Sequence, residues 1–429
     1  MRLTLDYGSD GLEVELPDDT VVVEGKEPPV LPDEDAAVRW ALAHPHSGMP
    51  LADLVRPGTA VAVAFPDLTR PMPNPTVLPP LLDELARLGA GPDRVELLCA
   101  TGTHRPATGK EMAALVGPEV MAGYRVHDHQ ATDPDHVRVG AVDGIPVLLD
   151  RRWVDADIRI TTGFVEPHFF AGWSGGPKGV CPGLAATATI LEAHSPDRIA
   201  DPRSTWLALD DNPVHSFVSA ATSLCPPDLA VDVTIDRRRR LTGVLAGVLP
   251  GSHRTACAVA ARTATSVIDG PFDVVVTTNG GHPLDRNLYQ AVKGLAAAAR
   301  VVVDGGVIIL AAACGDGIPA HGAFAHLLAG ASSAADLARP DQTAVLDGWQ
   351  TQVLGRVLER AEVWVHSDGL TDDEVRSSLM TPVADVAEAV ATALARRGSG
   401  ARLCVLPRGP MVVPIAAVPG TPRRSAPAE

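Results

Sequence analysis

Short apolar runs recur along this chain, and each leads straight into a polar, glycine-rich loop and then a helix-forming stretch. Residues 59–65 (TAVAVAF), 94–100 (RVELLCA), 158–164 (IRITTGF) and 272–278 (FDVVVTT) are nearly continuous in apolar and β-branched residues. A strand covered on one face alternates, whereas a strand buried on both faces reads this way. Helix-like stretches follow at 77–88, closed by Gly89, and at 110–116, 185–194 and 253–265. A second set is expected at 284–300, 323–329, 350–361 and 383–397, with short strands at 362–366 and 401–406. Repeated strand, loop and helix predicts α/β architecture with mostly parallel sheets. Residues 2–6 and 12–16 alternate around a Ser9-Asp10-Gly11 turn and predict a β-hairpin. Residues 301–312 read as a strand, a Gly-Gly turn and a second strand-like run.

The 429 residues exceed one ordinary core, since domains run to about 100–200 residues. The expected fold is therefore two Rossmann-like α/β domains with an active-site cleft between them. Residues 1–268 would form an N-terminal cofactor-binding catalytic domain. Residues 269–401 would form a C-terminal α/β domain closing over the cleft. The segment 402–420, starting with the last strand, is expected to rejoin the first domain, and 421–429 to be a flexible tail. With aromatics at only 4%, the cores must be built from Val, Leu, Ile and Ala.

The formal charge of −16 disfavours nucleic acid as a partner. It leaves room for a small anion in a locally basic cleft, which directs attention to Arg70, Lys178 and Lys293. None of the six cysteines sits in a C-x-x-C pair, which suits a reducing compartment better than a disulfide framework. No run reaches the ~18 apolar residues of a membrane span. The N-terminus lacks a signal-peptide core, so the cytoplasm is the expected location.

Four stretches carry candidate chemistry. Asp67-Leu68-Thr69-Arg70-Pro71 follows the strand at 59–65, where open α/β sheets bind ligands. Arg70 offers a planar fork of donors for a carboxylate or phosphate; a structural loop brace is the competing reading. Thr101-Gly102-Thr103-His104-Arg105-Pro106 places His104 where a rigid strand would hold a base. The third runs from Thr162 to Gly183 and contains Glu166, His168, Phe169, Phe170, Gly172, Trp173, Ser174, Gly175, Gly176 and Lys178, with His194 downstream. A glycine-dense loop after a strand suggests an anion site of backbone N–H groups. A phosphate-binding P-loop is rejected, because Pro177 precedes the lysine and Gly179 follows it. Lys178 is instead a nucleophile or attachment point. In the fourth, Tyr289 and Lys293 share one helix face with Gln290 beside them, and His282 reads as a turn residue. His127 and His129 alternate on one strand, a weak metal-pair pattern.

Taken together, these four stretches resemble the nickel-dependent lactate racemase family in the order and spacing of His104, His168, Lys178 and His194. The resemblance implies a nickel-pincer nucleotide, a pyridinium-3,5-bisthiocarboxylic acid mononucleotide carrying nickel, attached covalently to Lys178. It implies His194 as the nickel ligand and His104 and His168 as catalytic acid/bases. Asp67, Thr69, Gly172, Ser174, Gly175 and Gly176 would complete the cofactor site, and Arg70, Tyr289, Gln290 and Lys293 would hold the substrate. The reaction implied is racemisation or epimerisation of a 2-hydroxy acid by reversible hydride transfer, with accessory enzymes supplying the cofactor. Family members act on different acids, so the substrate is not fixed, and homo-oligomer formation is left open. Cys181 reads as packing. Two other readings predict different outcomes. A lysine Schiff-base enzyme of aldolase type would be trapped by borohydride, and a cofactor-free binding protein would keep Lys178 unmodified.

Overall fold

The computed structural model describes residues 1–320, 322–339 and 343–416. The expected tail at 421–429 lies outside the described residues. The apolar runs form two six-stranded sheets. Across the first, the order is Leu241–Gly247, Leu229–Ile235, Ile158–Phe164, Val61–Pro66, Val95–Ala100 and Arg125–Asp128. All neighbours are parallel except the outermost pair, where Leu241–Gly247 runs antiparallel to Leu229–Ile235. Val61 to Phe65 are buried throughout, as a two-faced central strand requires.

The second sheet is parallel throughout, in the order Thr381–Pro382, Ala361–His366, Val302–Ala311, Phe272–Thr278, Leu403–Leu406 and Val21–Val22. Here the structure corrects two expectations. Leu403–Leu406 does not return to the first domain: it inserts between Phe272–Thr278 and Val21–Val22. All four of its residues are buried, which suits an interior strand and not an edge. Only the later strand Val413–Ala416 turns back, pairing with Thr265–Ile268 at the junction, and residues 417–420 lie outside the described part. The hairpin Arg2–Leu5 with Leu12–Glu15 forms as expected, but it serves the other half of the chain. Its Leu5, Val14 and Leu16 share one core with Val274, Val276 and Val405. A hairpin that alternates has one apolar face to cover, and the second sheet covers it.

Residues 302–311 form one strand and not a strand–turn–strand. The expected turn is a bulge, with Phe272 opposite Val302 and Val274 already opposite Val307. Gly306 fits because a side chain there would meet the Asp273 carbonyl at 2.9 Å.

Candidate active site

The loops leaving Val61–Pro66, Val95–Ala100 and Ile158–Phe164 face the helix Leu288–Ala298 and the start of the helix Gly348–Arg360 across one cleft of about 980 Å³. Each strand ends at the same edge of the first sheet, so side chains far apart in sequence meet there. Asp67, Arg70, His104, His168, Ser174, Gly175, Gly176, Lys178, His194, Tyr289, Gln290 and Lys293 all line the cleft.

His104 is held by Asp67, with its Nδ1 2.8 Å from the carboxylate Oδ2. The other oxygen, Oδ1, accepts the Thr69 hydroxyl at 2.7 Å. Thr69 thus supports Asp67 and does not itself line the cleft. Burial alone would raise the Asp67 carboxyl, but His104, Thr69 and Arg70 outweigh it and hold the group below the ordinary carboxylate range. Asp67 therefore stays ionised beside the imidazole.

Arg70 donates to Glu166 Oε1 at 3.1 Å, with both side chains largely buried. Ser174 donates to the same oxygen at 3.4 Å. Glu166 had no role assigned from sequence; it does not line the cleft itself but braces Arg70, which does.

Lys178 sits in a tight turn, Gly176–Gly179. Among the described residues its amine makes no hydrogen bond or ion pair; it lies over the Phe170 ring, 5.9 Å from the centroid. Burial, and then the charges of Arg70 and Lys293, hold the amine well below its ordinary value. The turn is shaped from behind by Asp232, whose buried Oδ1 accepts the Gly176 N–H at 2.9 Å. A side chain at Gly163 would come 2.5 Å from that oxygen, and one at Gly176 would meet the His253 ring at 2.4 Å. Glycine is therefore needed for close packing here, which is a different use from the cradle of free amides expected for an anion. The Gly176 amide is already engaged. Gly172 lies off the cleft, its backbone packed against Ala208.

His194 caps the helix Thr187–Ala193. Its Nδ1 donates to the Ile190 carbonyl at 2.9 Å, which leaves Nε2 bare. Burial lowers its pKa to about 4, with Lys178 and His104 adding to the shift against the Ile190 carbonyl, so the ring is neutral. Phe170 stands between the two inner histidines, 5.4 Å from His194 and 4.5 Å from His168, edge-on to both. Trp349 packs against His194, with ring centroids 4.7 Å apart.

The facing helix is placed by its cap. Asn287 accepts the Gln290 N–H at 3.0 Å. At the far end of that turn, Asn279 accepts the Gly294 N–H at 3.0 Å. Lys293 donates to Gln290 at 2.6 Å. Burial, followed by Arg70, brings the Lys293 amine down to about 7 against the opposing pull of Glu166 and Asp67. The Tyr289 hydroxyl accepts from Trp349 Nε1 at 3.1 Å, and Gln350 donates to the Tyr289 carbonyl.

His282 stands outside the cleft, as a turn residue should; its amide donates to Gly8. His127 and His129 form no metal pair: His127 meets Glu96 at 2.5 Å, and buried His129 meets Asp150 at 3.1 Å. Burial pushes the Cys181 thiol up to about 12, so it is inert packing. No group of three or more metal-ligating side chains occurs among the described residues. No helix among them is long and apolar enough to cross a membrane.

The fold and the cleft define an α/β protein with a histidine- and lysine-lined site at the carboxyl edge of its first sheet. The family model for the lactate racemase N-terminal domain matches residues 7–206, and that for the C-terminal domain matches 267–414. The chain is 32% identical to the lactate racemase of Thermoanaerobacterium thermosaccharolyticum, over 96% of this chain and 99% of that one. It is also 32% identical to the lactate racemase of Lactiplantibacillus plantarum, over 88% and 90%. The solved lactate racemase apoprotein from T. thermosaccharolyticum superposes with a TM-score of 0.89 at 31% identity, over 97% of this chain and all of that one. A Thermotoga maritima protein shares the fold, with a TM-score of 0.67 at 17% identity. The chain belongs to the lactate racemase family.

Proposed function

We propose that this chain is a nickel-dependent racemase or epimerase of a 2-hydroxy acid, with a nickel-pincer nucleotide tethered to Lys178. The observation that carries the reading is the pairing in one cleft of a buried Lys178 amine, without a hydrogen-bond partner among the described residues and with its pKa lowered by burial, with His194, whose Nδ1 is engaged by the Ile190 carbonyl and whose Nε2 is left bare. A lysine that must form a covalent bond has to be free base. A metal-binding imidazole has to be neutral, with its second nitrogen engaged elsewhere. The single histidine fits a group that brings its other metal donors with it. When bound, such a group supplies a reversible acceptor for the hydrogen on the carbon bearing the hydroxyl.

The chain's own residues do the rest. Arg70 and Lys293 attract the substrate carboxylate, with Glu166 fixing the Arg70 fork. His104, oriented by Asp67, takes the hydroxyl proton as the alcohol becomes a 2-keto acid. His168 faces the same cleft and serves the opposite face of the substrate. Phe169, Phe170 and Trp349 exclude water from the inner end. The relatives' name makes lactate the first acid to assay.

The test is the intact mass and nickel content of protein co-expressed with the accessory enzymes that make the cofactor. An adduct at Lys178, lost in Lys178→Ala, is expected. Active protein with unmodified Lys178 and no nickel would overturn the reading. The depressed Lys178 amine also suits a Schiff-base enzyme, which borohydride trapping of bound substrate would reveal.

A further inference from the structure

His104 and His168 face one cleft, but their inner nitrogens meet opposite kinds of partner. The Nδ1 of His104 lies 2.8 Å from the Asp67 carboxylate, which can only accept. That nitrogen must carry the hydrogen, so the neutral ring shows the cleft a bare Nε2. The Nδ1 of His168 lies 3.2 Å from the backbone nitrogen of Ala171, which can only donate. That nitrogen must be bare, so the hydrogen of the neutral ring sits on Nε2.

The Ala171 amide is not free to move. His168 pairs with Gly172 in a two-strand turn. Gly172 has φ +78°, and a side chain there would come 1.8 Å from the Ala208 carbonyl oxygen. Asn212 holds the Phe170 carbonyl at 2.9 Å, and Trp173 donates to Leu207 at 3.0 Å. The imidazole itself is fixed by Phe169, stacked at 4.8 Å, and Phe170, edge-on at 4.5 Å. Burial, followed by the neighbouring Lys178, Arg70 and Lys293, lowers the pKa of the ring well below its ordinary value.

We infer that the two histidines rest in opposite tautomers, set by Asp67 and by the Ala171 N–H, so that His104 is the proton acceptor of the resting site while His168 is a hydrogen-bond donor. The consequence deepens the proposed function and rests on it. An incoming 2-hydroxy acid meets His104 with its hydroxyl, and meets the His168 N–H with an anionic oxygen, beside Arg70 and Lys293. His168 can act as a base only after its hydrogen leaves Nε2 and another arrives at Nδ1 through cleft water. One N–H bond then breaks, one forms, and the Ala171 amide loses its acceptor. The two faces of the substrate are therefore served by histidines that start from different states.

The test is the nitrogen spectrum of the full chain labelled with 15N-histidine, purified without cofactor. Signals are assigned with His104→Gln and His168→Gln. Should His168→Gln fail to fold, contacts to the Phe169 ring protons identify His168 in the unaltered protein. The expected result is a protonated Nδ1 with a bare Nε2 in His104, and the reverse in His168. Finding Nδ1 protonated in both rings would overturn the inference, as would a doubly protonated His168 at neutral pH. An unmodified Lys178 in the mass experiment would instead remove the proposed function and leave the tautomers standing.

Discussion

Arg70 and Glu166 form an ion pair at 3.1 Å at the wall of a cleft whose two amines, Lys178 and Lys293, pair with no carboxylate among the described residues. The pair has a directional purpose: Glu166 takes one edge of the guanidinium and leaves the rest of the fork for a ligand. Replacing Arg70 with lysine keeps the charge and loses the fork. Arg70→Lys is expected to raise the KM for a 2-hydroxy acid about 10–100-fold, the weight of roughly one charge-assisted hydrogen bond. Steady-state kinetics separating KM from kcat would check this; an unchanged KM would remove Arg70 from the substrate site.

Asp67→Asn preserves shape and removes the anion that fixes His104. An amide can present its N–H to the ring and stabilise the wrong tautomer. The loss expected is about 10²–10⁴-fold in kcat, the range of a misplaced general base. A kcat within a factor of a few of the parent would show that His104 needs no orienting carboxylate.

Lys293 carries a pH dependence. With its amine brought down to about 7, it is charged below that pH and neutral above it. Its attraction for a carboxylate is therefore full in mild acid and fades as pH rises through neutrality. The KM should climb between roughly pH 7 and 9, and Lys293→Gln should flatten the climb. A KM profile that is identical in the variant would contradict this assignment.

Asp232 should reveal itself in stability. Its buried Oδ2 has no hydrogen-bond partner among the described residues, and burial raises the carboxyl against the opposing effects of His253 and the Gly176 amide. A carboxyl raised on folding contributes fully below its unfolded value, and that contribution is lost as pH rises through the folded value. Asp232→Asn keeps an acceptor for the Gly176 N–H and carries no charge. The variant should match the parent in thermal stability near pH 4 and exceed it at neutral pH. A variant less stable than the parent at neutral pH would show that the ionised carboxylate is favourable here.

The strands that place the site were legible because they are buried on both faces and end in polar loops; the strand Ile158–Phe164 and its glycine loop are the clearest case. The strand at His127 was legible only as an alternation of two histidines, and the strands His136–Val142 and Ile145–Asp150 went unassigned, since a two-strand ribbon of mixed polarity has little apolar pattern. The cleft residues His104, His168, Lys178 and His194 were visible through their types and their loops. Their supports were not. Asp232 looks like any residue of the run Leu229–Ile235 until the chain folds it beneath Gly176. Trp349 and Gln350 lie about sixty positions from Tyr289, and nothing local marks them as its partners. Pairing across such separations belongs to tertiary structure, which local spacing cannot encode.

The strand Val21–Val22 closes the edge of a sheet whose other strands begin only at Phe272. During synthesis the opening hairpin leaves the ribosome long before any of its packing partners exist. Its apolar face must wait, exposed, while the whole first sheet is made, and its core is complete only when the strand Leu403–Leu406 adds Leu403 and Val405. The two halves of the chain are thus fastened by its two ends, and neither half can be cut out as a self-sufficient fragment at the midpoint. Contacts this remote in sequence slow folding and leave the nascent chain open to misassociation.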